Sequence, residues 1–495
     1  MSAATQGTRH HAEEMKRESN MKRLVSIASL ALAAGGVLWL GELHAQSAAS
    51  TDTSAAQQAE VADEDAPVQQ DELVEKPGMY TGVVSCANTG CHGAPAPISN
   101  SNVLQNEYDT WLHGPPRSHV RAWEILLNKE SRLIAKNMGL KQPADKAKIC
   151  LDCHATNVPK ELQGGTIEIA DGVQCESCHG PAGGWRARHV QAGWTHQDSV
   201  NAGMIDQRDL RARTKNCLSC HMGDATKTVD HELIAAGHPI LTFELDNFTQ
   251  SRLMPLHWKP LKDKPNADAY GPSTHGVNAW AVGQAVIFSE GLAHLSRQAK
   301  SDKWPEFASM SCAACHHDLR TGEWRQERGY QGRAGLPPWS PVRWSVLRHV
   351  VAEVAPDQQA SLDAEVNELA KLVASMRRPE AVSEKADSIA KKLSAVTDKV
   401  ESTQWTEKRV RSLMSRIAND ADYFYRNDRQ SAEQATWALV SLSASLARTN
   451  PKLVRGGVQK SVDDLYKQLN KMPMPDEYEN SRFRETLVQL QNQLK

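Results

Sequence analysis

The chain has 495 residues, enough for two or three domains. Its 57 basic residues balance 59 acidic ones to a formal net charge of −2, so nothing in the charge suggests nucleic acid and no such partner is expected. Ten cysteines and 19 histidines remain as the residues able to carry chemistry.

In chain order, Met21-Lys22-Arg23 opens a short basic region, and the apolar run Leu24 to Leu40 follows, then Leu43-His44-Ala45-Gln46. This is the pattern of a secretory signal over residues 1–45, cut after Ala45, with Met21 as an alternative start because residues 1–20 are polar and charged. An uncleaved N-terminal membrane anchor is the competing reading. The run of about 17 apolar residues is short for a bilayer, and it contains Gly35-Gly36. Residues 46–78 hold eight acidic side chains and one lysine among Ala, Ser and Gln, too few apolar groups to fold, and are expected to be a disordered leader.

Residues 79–349 contain every remaining cysteine pair. Cys150-Leu151-Asp152-Cys153-His154, Cys175-Glu176-Ser177-Cys178-His179, Cys217-Leu218-Ser219-Cys220-His221 and Cys312-Ala313-Ala314-Cys315-His316 share one pattern. Cys86 and Cys91 enclose four residues instead of two, again followed directly by His92. All ten cysteines are thus paired, and each pair runs straight into a histidine. Five such coincidences have a chance on the order of one in ten million, which decides against disulfides and zinc ribbons. Cys-x-x-Cys-His is the attachment site of a c-type haem: two thiols bond the porphyrin vinyl groups and the histidine takes the iron from below. The sequence therefore predicts five covalent c-type haems, tethered by Cys86, Cys91, Cys150, Cys153, Cys175, Cys178, Cys217, Cys220, Cys312 and Cys315, with His92, His154, His179, His221 and His316 as proximal iron ligands. Covalent haem attachment takes place outside the cytoplasmic membrane, so the motifs agree with the signal in placing the protein in the periplasm.

Only roughly 54 residues accompany each haem. The macrocycles are expected to form much of the core, with the polypeptide as helices and irregular loops; short helical runs are legible at 120–140 and 280–298. Gly335 to Pro341, with three prolines, breaks regular structure and marks a domain edge. Beyond it, apolar stripes at alternating steps of three and four predict six helices over 350–495. They pass through Leu362 to Met376, Val382 to Val400, Val410 to Phe424, Ala435 to Leu446, Val454 to Leu469 and Phe483 to Leu494. Pro379, Asn427, Asn450-Pro451 and Pro473 separate them. With no cysteine or histidine, this region is expected to be a haem-free antiparallel bundle used for docking, oligomer contact or cover. The fold class expected is mainly α: a pentahaem cytochrome c domain over 79–349 followed by a helical bundle over 350–495.

A sixth iron ligand separates bis-histidine electron-transfer haems from open irons that bind small molecules. Eleven histidines remain outside the signal region and the proximal set, enough for full ligation. His119, His189, His231, His238 and His294 are the candidate distal ligands, with His231 and His238 seven residues apart and on one face if that stretch is helical.

Gly172-Val173 through Gly180-Pro181, the glycine-rich turn after it and His189 resemble the third-haem region of the tetrahaem cytochrome c-554 family. Ser118-His119-Val120-Arg121-Ala122 resembles that family's segment after its first haem. The resemblance covers about residues 80–240 and implies that His119 and His189 are distal ligands and that the second haem, on His154, has an open iron. The longer loop at Cys86, the fifth motif with Trp324-Arg325-Gln326 near it, and the C-terminal helices fall outside the tetrahaem pattern. They resemble larger multihaem cytochromes.

These readings converge on an exported pentahaem cytochrome that passes electrons between redox partner proteins, with no catalytic side chain needed. Two other readings stand beside it: a haem enzyme acting on a small nitrogen or sulfur species at an open iron, and a subunit of a polymerising haem filament. A homo-oligomer is compatible with each. Asp152, Glu176 and Asp318 lie in or beside haem motifs, where a carboxylate can tune a potential, and are expected to be solvated carboxylates.

Overall fold

The computed structural model describes residues 76–98, 103–114, 118–165, 167–250, 275–316, 336–340, 342–427, 429–470 and 480–495. The signal region and nearly all of the acidic leader lie outside the described residues, as does Asp318. Among the described residues the chain is helical, joined by loops, with isolated bridges such as Tyr80 with Gln163 and Met310 with Trp339 in place of strands.

The first part, up to about residue 250, is built of short helices. They are α1 (Glu107–Leu112), α2 (Lys129–Asn137), α3 (Lys148–His154), α4 (Cys175–His179), α5 (His196–Asn201), α6 (Leu210–His221), α7 (His231–Ala235) and α8 (Leu245–Gln250). Polar caps start several of them. Asn128 accepts from Ser131 N–H at 2.7 Å, Thr195 and Asp198 form a reciprocal capping box, and Asp209 and Asp230 cap α6 and α7. The helical run expected at 120–140 is broken into 3-10 turns at His119–Arg121 and Glu124–Leu127 before α2, because the Asn128 cap starts a new helix.

Apolar packing is sparse here. The buried residues Leu126, Ala135, Ala144, Leu151 and Ala155 form one small cluster. Among the described residues, ten of the thirteen exposed large apolar side chains fall between Val84 and Val190, including Val84 at 66 % and Val190 at 72 % exposure. Polypeptide alone leaves this surface uncovered, as expected of a region whose core is completed by large apolar groups.

The second part opens with α9 (His275–Ala299). Its side chains are buried on nearly all sides, among them Val277, Trp280, Val282, Phe288 and Leu292, so it is a central helix and not a surface one. Around it pack α10 (Leu347–Val354), α11 (Pro356–Ala374), α12 (Pro379–Glu401), α13 (Glu407–Asn419), α14 (Ala421–Arg426), α15 (Arg429–Thr449), α16 (Gly457–Asn470) and α17 (Asn480–Leu494). Proline opens both α11 and α12, where its missing N–H costs no bond. Helix α12 lies along α9, with Ile389, Leu393 and Val396 fully buried. Helices α13, α14 and α16 each pack on α17, and α15 packs on α13 and α16.

Two expectations change. The stripe Val410 to Phe424 is two helices, because the backbone turns at Asp420, where φ is −93° and ψ 22°. The edge expected at 349/350 falls inside α10, and the apolar core runs without a break from Leu210 through α9 to Leu490. The reason is α9, which spends its apolar surface on the C-terminal helices as well as on α6 and α8. Among the described residues no helix is long and apolar enough to cross a membrane.

Candidate haem sites

Three of the motifs are helix ends. Cys150, Cys153 and His154 close α3, Cys175 to His179 is the whole of α4, and Cys217, Cys220 and His221 close α6. In a helix, residues three apart share a face, so each turn brings its two thiols to one side. The fifth pair lies on a 3-10 turn, Cys312–Ala314, and His316 is exposed. The first follows the 3-10 turn Val83–Cys86, and its loop is closed by His92 N–H donating to Cys86 O at 3.3 Å. None of the ten cysteines is in a disulfide.

The thiols of different motifs meet. Cys175 is within hydrogen-bonding reach of Cys86, and Cys153 of Cys220. Cys178 lies near enough to Cys217 and Cys220 for their charges to act on one another. The tether points of the first four motifs are therefore neighbours, although up to 89 residues separate Cys86 from Cys175 along the chain.

The histidines meet in twos. His92 and His189 face each other with ring centroids 6.3 Å apart and planes within 8° of parallel. His119 stands 6.4 Å from His221, and His238 stands 6.4 Å from His154. Two metal–nitrogen bonds of about 2 Å, with about 1 Å from each nitrogen to its ring centre, span roughly 6 Å, so each gap suits one iron between two imidazoles. Among the described residues no three His, Cys, Asp or Glu side chains gather as a bare-ion site. Ligands in twos suit a six-coordinate porphyrin iron, since the macrocycle supplies the other four.

Hydrogen bonds orient these rings. His92 Nδ1 lies 2.9 Å from Glu107 Oε2, His154 Nδ1 2.9 Å from Ala122 O, and His238 Nδ1 2.8 Å from Pro239 O; His189 Nδ1 bonds Arg186 O. With the proton on Nδ1, each ring donates to that acceptor and turns Nε2 outward as a metal-binding nitrogen. The Glu107 carboxylate holds His92 above the ordinary imidazole range and makes it the most basic kind of donor. Burial lowers His154 and His189, and pushes His221 down to about 4 with help from His119 and His154, so these rings are neutral at pH 7 as ligands must be. The donor set and the uncovered apolar surface fit c-type haem.

Of the candidate distal ligands, His119, His189 and His238 are thus brought to proximal rings. His231 and His294 are not. His231 opens α7 with its ring on Phe307, 5.8 Å away, and His294 lies on α9. The shared face expected for His231 and His238 is lost because α7 ends at Ala235. His238, beyond it, stands across from His154, the iron that the family resemblance leaves open.

Glu176, expected to be solvated, is 2 % exposed. Its carboxylate accepts from Thr81 N–H at 2.9 and 3.0 Å, Gly82 N–H at 2.7 Å and Ala182 N–H at 2.7 Å. Gln174 beside it accepts from Val83 N–H at 3.0 Å. These bonds bind the first motif to the third. Gly172, at φ +67°, lets His119 O approach: Val173 N–H donates to that oxygen at 3.0 Å, and a Cβ on Gly172 would lie 2.5 Å from it. Sequence reasoning missed Glu107, the buried Arg343 guanidinium and the buried role of Glu176. Their partners lie on other segments, so nothing local announces them.

Helical turns carrying paired thiols, followed by histidines held in opposed pairs, define a c-type cytochrome that binds several haems covalently and transfers electrons. In agreement, residues 85–180, which span the first three motifs, match the family described as cytochrome c554 and c-prime. The match is shorter than the resemblance over residues 80–240. No curated protein and no solved structure matches the chain.

Proposed function

We propose that this protein is an exported, periplasmic pentahaem cytochrome that carries electrons between redox partner proteins, with at least three irons held by two histidines each. The observation that carries the reading is the set of three ring pairs at 6.3 to 6.4 Å, His92 with His189, His119 with His221 and His154 with His238. The haems supply the one-electron iron couple. The chain fixes their tethers side by side through the Cys86/Cys175 and Cys153/Cys220 contacts and turns the imidazoles through their Nδ1 bonds. Two strong-field imidazoles hold an iron low-spin and closed to small ligands.

Low-temperature electron paramagnetic resonance of the oxidised protein tests this, together with haem counting and nitric oxide added to the reduced form. Five haems per chain and no high-spin iron at the three paired sites are expected. An iron that is high-spin and takes nitric oxide at one of those sites would move the reading to a redox enzyme acting on a small nitrogen or sulfur species.

A further inference from the structure

Between α9 and the residues Trp339, Ser340, Val342 and Arg343 lies a cleft of about 130 Å³. Its walls include His221 and Met222 at the end of α6, His294 and Gln298 of α9, and Trp339 and Arg343. The attachment motifs at Cys217 and Cys312 flank it: α6 ends on one wall, and Ser311 N–H donates to Pro338 O at 2.9 Å on the other.

Arg343 is the unusual member. Its stem crosses α9 at Gly291, where a Cβ would come within 2.7 Å of Arg343 Cδ, so a glycine is what lets the side chain lie there. Its Nη1 lies 2.7 Å from Met222 Sδ, a weak acceptor, and among the described residues no carboxylate pairs with it. Burial lowers its pKa to about 10, which leaves it cationic at neutral pH. Glu433, the carboxylate on the cleft wall, is engaged by Arg429 at 3.1 Å. Beside Arg343, the Nδ1 of His294 is buried with no hydrogen-bond partner. A cation held out of water without a counter-charge is unfavourable, because burial strips its hydration and nothing replaces it.

We propose that this cleft is an anion site, in which Arg343 and His294 together take a carboxylate or small oxyanion. A planar guanidinium suits two parallel bonds to such a group, and the neutral imidazole can add a third N–H. Two sources share this chemistry. One is a propionate of a haem tethered at Cys217 or Cys312, which rests on the function proposed above; the other is a free oxyanion from solution.

The test uses the full, haem-loaded protein and its Arg343→Gln, Arg343→Lys and His294→Ala variants. Haem content is counted first, so that a failure of the pentahaem reading shows there and is kept apart from the readouts of the site. Potentiometric titration then reads the midpoints, and calorimetry reads uptake of nitrite and of sulfite. If a propionate fills the site, Arg343→Gln shifts one midpoint to more negative values, because a positive charge that favours the reduced iron is gone. Arg343→Lys then keeps most of the wild-type value, His294→Ala gives a smaller shift of the same sign, and neither anion binds. If a free oxyanion fills it, wild type binds nitrite or sulfite one to one. Arg343→Gln then weakens this by about tenfold or more, as the loss of a charge-assisted bond requires, with midpoints unmoved. The proposal is overturned if wild type binds neither anion and Arg343→Gln moves no midpoint.

Discussion

Replacing Glu176 by alanine removes one carboxylate and strands three backbone donors, those of Thr81, Gly82 and Ala182. The site is buried, so water replaces the acceptor poorly, and each orphaned N–H costs about 1–3 kcal/mol. Partial relaxation brings the total to about 3–5 kcal/mol, the range seen when a buried charged partner is lost. That is a large part of the roughly 5–15 kcal/mol by which a folded protein is held. Glu176→Gln keeps one acceptor oxygen but turns an amide donor toward the remaining N–H groups, so about half the loss is expected. Urea unfolding of the haem-loaded protein, followed by haem absorbance and by tryptophan fluorescence, reads both. Haem absorbance is expected to change at lower urea than fluorescence, because the bonds lost lie between the first and third motifs and most tryptophans outside that contact are unaffected. A loss under about 1 kcal/mol in Glu176→Ala with normal haem content would refute the reasoning and return Glu176 to the solvated role first expected for it.

His238→Ala should leave haem content unchanged and convert one low-spin iron to high-spin, seen by electron paramagnetic resonance; an unaltered spectrum would break the pairing with His154. Gly172→Ala forces a side chain into φ +67° and to 2.5 Å from His119 O, so a loss of about 1–3 kcal/mol in urea unfolding and a disturbed spectrum for the haem on His221 are expected. Leu393→Ala, at a fully buried position on α12, should cost about 2–5 kcal/mol while the visible haem spectrum stays as it was. Burial, and then the nearby Asp246, raises Glu244 from the ordinary 4.5 to about 7. Between those two values the folded protein binds more protons than the unfolded chain, so stability falls as pH rises from about 4.5 to 7 and is level above. The Glu244→Gln variant should lose that slope in unfolding measured across pH 5 to 8.

The cysteine pairs and the histidines that follow them were legible because the attachment pattern is local. Two thiols and a histidine must lie within one turn of chain, so Cys150 to His154 or Cys217 to His221 can be read directly. The C-terminal helices were legible for the same reason: the stripe Val382 to Val400 records one buried face of one helix. What failed was local breaks inside a repeat and burial supplied by a second segment. The break at Asp420 hides within an apolar repeat that continues through it. The edge expected at residue 349 ignored α9, whose apolar surface is shared between α6, α8 and α12. Glu176 looked like a charge beside a motif, and its burial is made by Thr81 and Gly82, some 95 residues away.

By itself the sequence determined the five cysteine pairs, each followed at once by a histidine, and the amphipathic helices, all set by periods shorter than two turns of chain. Only the tertiary structure decided which histidine faces which. His238 opposite His154, and His189 opposite His92, are juxtapositions of distant segments. In each pair a ring is turned by the acceptor its Nδ1 meets, Glu107 for His92, the Ala122 carbonyl for His154 and the Pro239 carbonyl for His238.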